Sequence, residues 1–183
     1  EIVFDVKCTN LLSNIIKETG GIPVMSPTGH FHIKNTLKQT NAPLAGEMSG
    51  HIFFNDQWHG FDDGHYSAFR LLEIINGLKI PLSTILDQLP KAYSTPELNI
   101  NVDEEKKFEI VKNFVDKAQF EGGIKVTIDG LRVDFDDGWG LMRASNTTPK
   151  LVLRFEAKTS DRLKEIKNMF LDQLKLIDET IQI

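Results

Sequence analysis

The sequence predicts an α/β domain with a mixed sheet over residues 1–90 and a smaller α+β domain over residues 91–183, with helices packed on one face of an antiparallel sheet. Three observations predict this fold class. In the first half, short β-branched stretches alternate with segments of helical periodicity. In the second half, several alternating stretches follow one another and an amphipathic helix comes last. The segment 89–96, which contains prolines and no periodic pattern, marks the boundary between the halves.

The first half begins with a buried strand and then alternates between strands and helices. Strands are predicted at residues 2–7, 22–25, 43–45 and 52–54, where β-branched and aromatic residues are concentrated. Helices are predicted at residues 10–18, 28–38, 65–76 and 82–89. Thr28 is the expected N-cap of the second helix, and Pro81 opens the fourth. The apolar positions of the third helix recur at helical spacing, at Phe69, Leu72 and Ile75.

The second half opens with an extended run to Val102 and a helix for which Asp103 is the expected N-cap. This helix has an apolar stripe that we expect to be buried, formed by Phe108, Val111, Phe114, Val115 and Ala118. Antiparallel strands are predicted at residues 124–128, 131–135, 139–143 and 151–157, and Asp129-Gly130 predicts a two-residue hairpin turn. The last helix begins at Thr159 or Ser160, and its apolar seam consists of Leu163, Ile166, Phe170, Leu174 and Ile177.

Composition and charge limit the possible functions. The chain has 183 residues, of which 40% are hydrophobic, as is ordinary for a globular protein. Its formal net charge of −5 argues against a general nucleic-acid binder, whose surface would be basic. No apolar run approaches the ~20 residues that span a bilayer and no signal peptide is visible, so we expect no membrane association. The single cysteine, Cys8, is expected to be buried at a strand end. It cannot form an internal disulfide, which favours a cytoplasmic location.

The stretch Arg143-Ala144-Ser145-Asn146-Thr147-Thr148-Pro149 is typical of a phosphate-binding loop. The planar guanidinium of Arg143 can pair with two phosphate oxygens at once. Further donors are the hydroxyl groups of Ser145, Thr147 and Thr148 and the backbone N–H groups of the loop. The alternative is a polar hairpin turn with one surface arginine.

A second polar stretch, Gly46-Glu47-Met48-Ser49-Gly50-His51, places a carboxylate, a hydroxyl and an imidazole at alternate positions. In an extended backbone these three side chains would project to the same side, where they could bind neighbouring sugar hydroxyls. A serine-hydrolase site is excluded because the nucleophile elbow requires Gly-x-Ser-x-Gly. The alternative is a strand-to-loop transition that carries a surface triplet.

The sequence predicts no metal site. On a helix, His30 and His32 would point about 200° apart, so they could not share an ion. His32, His59 and His65 are expected on the surface or at helix ends. Asp134-x-Asp136-Asp137-Gly138 lacks the glutamate that completes a calcium loop and predicts an acidic hairpin turn. Asp62-Asp63-Gly64 predicts a turn whose carboxylates stand at a helix N-terminus.

Taken together, these motifs resemble the α-D-phosphohexomutase superfamily, and within it the bacterial phosphomannomutase/phosphoglucomutase branch. The similarity is carried by Gly46-Glu47-Met48-Ser49-Gly50-His51, by Gly60-Phe61-Asp62-Asp63-Gly64 and by the phosphate-loop stretch. Asp5-Val6-Lys7-Cys8-Thr9 and Thr28-Gly29-His30 are also similar to family segments. The phosphoglucosamine branch fits less well, because it has a glutamine where Met48 stands.

Members of this superfamily have four domains around one active-site cleft. The resemblance implies most of the third domain over residues 1–90, followed by the complete fourth domain over residues 91–183. It implies that Glu47 and Ser49 bind sugar hydroxyls, and that Lys7, His30 and His51 line the same cleft. The residues implied to bind phosphate are Arg143, Ser145, Asn146 and Thr147. Pro27 departs from the family pattern, since many relatives have a lysine there.

The resemblance also implies a reaction in which a phosphoserine donates its phosphate to a hexose phosphate. A hexose 1,6-bisphosphate intermediate then returns the other phosphate to the serine. The family's phosphoserine loop and aspartate-rich Mg²⁺ loop have no counterpart in this sequence, so we expect a fragment that is inactive alone. We expect its parent to be a monomeric enzyme acting on mannose and glucose 1- and 6-phosphates, with domains 1 and 2 and the Mg²⁺ ligands outside this chain. The alternative is a stand-alone, non-catalytic module that binds a sugar phosphate or another anion.

Overall fold

In the computed structural model, which describes residues 1–179 and 181, the chain divides into two units, Glu1–Lys91 and Ala92–Ile183. The first unit has α/β architecture and the second has α+β architecture, so the predicted fold class is confirmed. The division between residues 91 and 92 falls inside the proline-containing segment 89–96.

The sheet of the first unit is mixed and has the strand order β2-β1-β3-β4. Its strands are β1 (Ile2–Asp5), β2 (Pro23–Ser26), β3 (Leu44–Gly46) and β4 (Ile52–Phe54). β1 runs parallel to β2 and to β3, whereas β4 returns antiparallel to β3. The parallel arrangement brings the carboxyl ends of β1, β2 and β3 to one edge of the sheet, which is where ligands bind in open α/β sheets.

Two helices of the first unit pack on opposite faces of this sheet. The helices of the unit are α1 (Asn10–Glu18), α2 (His30–Thr40), α3 (Gly64–Gly77) and α4 (Leu82–Gln88). Val3 of β1 packs with Ile33 and Leu37 of α2. The next residue, Phe4, packs with Ile16 of α1. Because successive residues of a strand point to opposite faces, α1 and α2 lie on opposite sides of β1.

The other two helices of this unit, α3 and α4, have no buried residues. Phe69 and Leu72 of α3 are 68% and 59% exposed. The apolar face predicted for α3 therefore points largely to solvent. Even so, within residues 1–179 and 181, no helix combines the length and the apolar character that crossing a bilayer requires.

The second unit is built on an antiparallel sheet with the order β5-β10-β9-β8-β7, and β6 also pairs with β10. Its strands are β5 (Tyr93–Ser94), β6 (Leu98–Asn101), β7 (Ile124–Val126), β8 (Leu131–Phe135), β9 (Gly138–Ala144) and β10 (Lys150–Ala157). Phe135 pairs with Gly138, so Asp136 and Asp137 form the predicted acidic hairpin turn. The sheet places residues 145–149 in the loop between its two longest strands, β9 and β10.

Helices α5 (Lys107–Lys117) and α6 (Ser160–Ile177) pack against this sheet through one core. Phe114 of α5 and Phe170 of α6 meet Met142 and other buried side chains of the strands there. Gly140 allows the close approach of α6, because a Cβ at this position would lie 2.5 Å from the Phe170 ring. The predicted seam of α6 is confirmed, with the buried residues Ile166, Phe170 and Leu174 flanked by the partly buried Leu163 and Ile177.

The two predicted N-caps of α6 and α2 had different outcomes. Thr159, one of the two residues predicted to open α6, caps this helix and accepts a hydrogen bond from the N–H of Arg162. The prediction for Thr28 is wrong, because Gly29 occupies the N-cap of α2 and makes no side-chain bond. The hydroxyl of Thr28 donates instead to the carboxylate of Asp5, at a distance of 3.2 Å.

Helix α5 begins later than the sequence predicts. Asp103 accepts the N–H of Glu105 in a turn that precedes the helix, and the helix itself starts at Lys107. The buried face is shifted accordingly. Phe108 is 59% exposed, contrary to the prediction, whereas Lys107 is buried.

The connection between β7 and β8 is longer than the predicted two-residue turn. Strand pairing ends where Val126 faces Arg132, which leaves residues 127–130 in the loop. Gly130 has a φ of 73°, and a Cβ there would lie 2.3 Å from the carbonyl oxygen of Met142. The loop is therefore folded down onto β9, which explains why it is not a tight hairpin.

Candidate functional site

Asp5, the last residue of β1, is fully buried and joins three loops of the first unit. Its Oδ1 accepts hydrogen bonds from the N–H of Met48 at 3.2 Å and from Sγ of Cys8 at 3.1 Å. Its Oδ2 accepts the Thr28 hydroxyl at 3.2 Å and lies 4.0 Å from Nζ of Lys7. Because a carboxylate removed from water must be paired and hydrogen-bonded, Asp5 holds the loops that follow β1, β2 and β3 together.

Two of the predicted site residues, Lys7 and His30, belong to these loops. Lys7 is buried beside Asp5, and His30 is the exposed first residue of α2. The centroid of the His30 ring lies 5.9 Å from that of Phe53. The central role of Asp5 was missed from the sequence. The signal that could have revealed it is a carboxylate at the end of a buried apolar strand.

Residues 47–50 form a tight turn between β3 and β4, not the extended backbone on which the sequence prediction relied. The N–H of Glu47 donates to the carbonyl of His51 at 2.9 Å, and the N–H of Gly50 donates to the carbonyl of Glu47 at 3.0 Å. The turn arises because β3 and β4 are antiparallel neighbours that pair Gly46 with Ile52. The prediction that three side chains alternate along a strand is therefore wrong.

The turn nevertheless brings Glu47 and Ser49 together. The hydroxyl of Ser49 donates to Oε2 of Glu47 in a long hydrogen bond of 3.4 Å. The other carboxylate oxygen of Glu47, Oε1, is buried and has no hydrogen-bond partner among the residues that the structure describes. An unpaired buried acceptor is costly, so this oxygen is suited to an incoming hydroxyl group.

His51, at the end of the same turn, contacts a different group. Its Nδ1 lies 2.7 Å from Oδ2 of Asp62. The backbone of Asp62 forms an isolated antiparallel bridge with Phe53, which fixes the loop that carries the carboxylate beside β4. Among the predicted site residues, Glu47 and Ser49 are therefore in contact, whereas His51 lies beside Asp62, for which the sequence predicted only a place in the turn before α3.

The residue after Asp62 fastens this loop to α3. Asp63 caps the helix, and the N–H of Tyr66 donates to its carboxylate at 2.9 Å. This bond lowers the pKa of the Asp63 carboxyl below its ordinary value of 3.8, with burial opposing the shift and the indole of Trp58 adding to it. Nε1 of Trp58 donates to Asp63 at 3.2 Å, and its ring stacks on that of Tyr66 with centroids 4.6 Å apart. The sequence prediction for a capping carboxylate is thus confirmed for Asp63.

In the second unit, Arg143 lies at the end of β9 and is buried. Its Nε donates at 2.9 Å to Oδ2 of Asp129, which lies in the loop between β7 and β8. Nη2 of Arg143 is buried and makes no hydrogen bond within residues 1–179 and 181. One edge of the guanidinium is therefore held by a carboxylate, while a donor on it is left for a further acceptor.

The loop after Arg143 is shaped by the hydroxyl of Ser145. Ser145 Oγ accepts the N–H groups of Thr147 at 3.3 Å and Thr148 at 3.2 Å, and it also accepts the Thr148 hydroxyl at 2.8 Å. These two N–H groups are thus already bonded inside the loop, which differs from the expectation that they are donors for an anion. Ser145 is buried, whereas Asn146 and Thr147 are exposed.

Lys107 of α5 anchors the far end of this loop. Its Nζ donates to the backbone carbonyl of Thr148 at 3.2 Å and forms an ion pair with Glu104 at 2.6 Å. Its side chain is only 1% exposed. This role of Lys107 was not predicted from the sequence. The available signal was a lysine that falls on the buried stripe of an amphipathic helix.

The described residues do not fit a protein-held metal ion. Within residues 1–179 and 181, no group of three or more His, Cys, Asp or Glu side chains could hold one. The histidines that the sequence placed on the surface are exposed in the structure: they are His32, His59 and His65. The buried carboxylate of Asp5 is satisfied by the hydrogen bonds described above.

Comparison with known protein families gives two matches along the chain. Residues 1–93 match the family described as phosphoglucomutase/phosphomannomutase, alpha/beta/alpha domain III. Residues 97–173 match the family described as phosphoglucomutase/phosphomannomutase, C-terminal domain.

Individual relatives are similar along the whole chain. A phosphomannomutase/phosphoglucomutase of Pseudomonas aeruginosa is 51% identical over 183 residues, which are 100% of this chain and 40% of that protein. A phosphoglucomutase of Neisseria gonorrhoeae is 54% identical over 172 residues, which are 93% of this chain and 37% of that protein. The crystal structure of a phosphoglucomutase/phosphomannomutase family protein of Burkholderia thailandensis superposes with a TM-score of 0.91 at 47% identity, covering 99% of this chain and 38% of that one.

Proposed function

Because the chain belongs to the phosphoglucomutase/phosphomannomutase family, we propose that it supplies substrate recognition to an enzyme that interconverts hexose 6-phosphates and hexose 1-phosphates. The chain spans 40% of the length of the Pseudomonas relative. The parent enzyme on this proposal also has domains 1 and 2, and it transfers phosphate through a phosphoserine and a hexose 1,6-bisphosphate. Residues 1–90 correspond to domain 3 and residues 91–183 to domain 4.

The observation that carries the proposal is the buried, unpartnered Nη2 of Arg143. A buried guanidinium donor without an acceptor is costly, and a phosphate oxygen is the acceptor that its charge and planar shape suit best. The hydrogen bond that Nε donates to Asp129 leaves the rest of the guanidinium to face the ligand. Arg143 is therefore the main phosphate ligand, and the hydroxyl of Ser145, which accepts bonds inside the loop, donates its own proton to the phosphate. Asn146 and Thr147 complete the set from the exposed side of the loop.

The first unit binds the sugar on this proposal. Oε1 of Glu47, buried and without a partner in the described part of the chain, accepts one sugar hydroxyl. Ser49, already in contact with Glu47, binds its neighbour. His51, His30 and Lys7 line the same region. A hexose bisphosphate can present two adjacent hydroxyls and one phosphate in either of its two orientations. Recognition of these groups therefore suits a reaction in which the intermediate binds in both orientations.

Mg²⁺ belongs to the proposed parent enzyme, where it would neutralise charge on the transferred phosphate. The described residues of this chain do not fit it, so its ligands are placed in the other domains. Phosphoryl transfer needs a nucleophile and charge neutralisation, and we propose that this chain alone supplies neither. A monomeric parent in the cytoplasm remains the prediction made from the sequence.

The test is the substitution Arg143→Ala in the full-length enzyme, with mannose 1-phosphate and glucose 1-phosphate as substrates. Losing charged hydrogen bonds to phosphate should lower kcat/KM by roughly tenfold to 150-fold, which corresponds to about 1.5–3 kcal/mol. Arg162→Ala is the matched control, because Arg162 bonds to Asp137 and Glu165 on the surface of the same unit. Equal kcat/KM values for the two variants would contradict the assignment of Arg143.

A further inference from the structure

The contact between His51 and Asp62 gives Asp62 a role in addition to the substrate binding proposed for the turn. The 2.7 Å separation of Nδ1 and Oδ2 is within hydrogen-bonding distance. The His51 side chain is 52% exposed and that of Asp62 is 26% exposed. The ring is thus accessible on one side and bonded on the other.

The carboxylate of Asp62 occupies a fixed position. On its N-terminal side, the N–H of Gly60 donates to the carbonyl of Phe54 at 2.8 Å. On its C-terminal side, Asp63 caps α3 through the N–H of Tyr66. The bridge to Phe53 lies between these two attachments. Because the backbone is held on both sides, Asp62 can impose an orientation on the more exposed imidazole.

A neutral imidazole has one protonated and one unprotonated nitrogen, and the hydrogen bond at one decides the state of the other. A carboxylate accepts hydrogen bonds, so the proton of neutral His51 resides on Nδ1. Nε2 then carries a lone pair and is an acceptor. His51 follows directly on the turn that carries Glu47 and Ser49, so this acceptor is presented next to the proposed sugar-binding pair.

We propose that Asp62 is a positioning residue, which fixes the tautomer and the orientation of His51 so that Nε2 accepts a hydrogen bond from a hexose hydroxyl. The inference rests on the proposed sugar-binding function of the turn. Asp63, the next residue, has a different task, because its carboxylate caps a helix and accepts the indole N–H of Trp58. The two adjacent aspartates therefore provide a matched comparison.

The first measurement is the tautomer of His51 in the full-length enzyme, labelled with ¹⁵N-histidine and studied by NMR at alkaline pH, where imidazole is neutral. The signal of His51 is assigned by its loss in His51→Gln. We expect the Nδ1–H form in the unsubstituted enzyme and in Asp63→Asn. Asp62→Ala should populate the Nε2–H form. An unchanged tautomer in Asp62→Ala would overturn the inference.

The second measurement is a double-mutant cycle in the mutase assay. Asp62→Ala should lower kcat/KM by about tenfold to a hundredfold, and Asp62→Asn should lower it less, because the amide oxygen can still accept the Nδ1 proton. If Asp62 acts through His51, adding Asp62→Ala to His51→Gln should cause no further loss. Losses that multiply would show that Asp62 acts independently of His51 and would overturn the proposal.

Failure of the proposed function is distinguishable from failure of this inference. An unsubstituted enzyme without mutase activity would refute the function, and the NMR measurement would still decide the role of Asp62. Circular dichroism shows whether Asp62→Ala is folded. If Asp62→Ala is not folded, the tautomer of His51 is measured in Asp62→Asn instead. The amide of the asparagine can donate to Nδ1 as well as accept from it. A mixture of tautomers is then expected, and a pure Nδ1–H form with unchanged kcat/KM would contradict the proposal.

Discussion

At the scale of single residues, the position of Arg143 depends on two neighbours in the loop between β7 and β8. Asp129 binds its Nε at 2.9 Å. Gly130, the next residue, lies against the backbone of β9, where an added Cβ would approach Cα of Arg143 to 2.7 Å. The loop thus places Asp129, which binds the guanidinium, beside Gly130, whose lack of a side chain lets the loop lie against the backbone of β9.

We predict that Gly130→Ala destabilises the protein and weakens phosphate binding. The φ of 73° alone should cost about 1–2 kcal/mol, and the clash with β9 should add about 1–3 kcal/mol. Gly122→Ala is the matched control, because Gly122 has a φ of 71° but nothing within 4 Å of an added Cβ. Urea unfolding of the 183-residue chain in a Trp58→Phe background, followed by the fluorescence of Trp139, compares the two. Equal losses in the free energy of unfolding for Gly130→Ala and Gly122→Ala would refute the role of the clash with β9.

At the scale of secondary-structure elements, α5 and the loop between β9 and β10 are joined through one lysine. Lys107 belongs to the buried face of the helix, and its ammonium group reaches the carbonyl of Thr148. Thr148 is in turn bonded to Ser145. Helix α5 therefore holds the proposed phosphate loop in place, although none of its residues is a predicted ligand.

Replacing this lysine by a residue of similar length tests the connection. Lys107→Met should lower the free energy of unfolding by about 1–3 kcal/mol, since a hydrogen bond to a charged donor is lost inside the protein. In the full-length enzyme, KM should rise because the loop is less well held. Lys164→Met, which removes an exposed ion pair with Asp161, should change the free energy of unfolding by less than about 1 kcal/mol. If KM is unaffected by Lys107→Met, the loop does not depend on α5.

The sequence predicts elements well where one local pattern decides them. The seam of α6 and the strands of the second sheet are examples, because apolar periodicity reports directly which side is buried. Predictions failed where a tertiary contact or a strand-pairing partner was decisive. The hydroxyl of Thr28 bonds to Asp5 instead of capping α2, and the pairing of β3 with β4 turns the chain at Glu47. Local propensity contains no information about such partners.

The same distinction applies to the candidate site. Arg143 and Glu47 could be predicted from their chemistry and from the family resemblance, and their roles as ligands stay predictions. The roles of Asp62, Asp129 and Lys107 in holding other residues were missed. Asp62 and Asp129 were predicted only as turn residues, and Lys107 was not singled out. Spacing along the sequence identifies candidate ligands, whereas the residues that orient them become visible only in the folded chain.

At the scale of the whole molecule, the two units differ in how their cores are built. In the second unit, side chains from α5, α6 and the sheet form one continuous cluster. In the first unit, the buried residues form two smaller clusters on either side of β1, and α3 and α4 contribute none. Burial of apolar surface is the main stabilising term in folding, so the second unit should be the more stable.

This difference is tested by producing residues 1–91 and residues 92–183 as separate chains. We expect residues 92–183 to unfold in a single cooperative transition and to do so at a higher urea concentration than residues 1–91. The same experiment tests the domain boundary predicted near residue 90. A piece 92–183 that shows no cooperative unfolding would contradict both the boundary and the ranking of the units.

The outward apolar side chains of α3 have a practical consequence for handling the 183-residue chain. Its net charge of −5 keeps molecules apart by mutual repulsion, but that repulsion extends only about 10 Å at 0.1 M salt. The exposed side chains of Phe69 and Leu72, by contrast, favour association between molecules at any ionic strength, because attraction between apolar groups does not depend on charge. We therefore expect solutions of the 183-residue chain to stay clear at low ionic strength and to become turbid when salt is added.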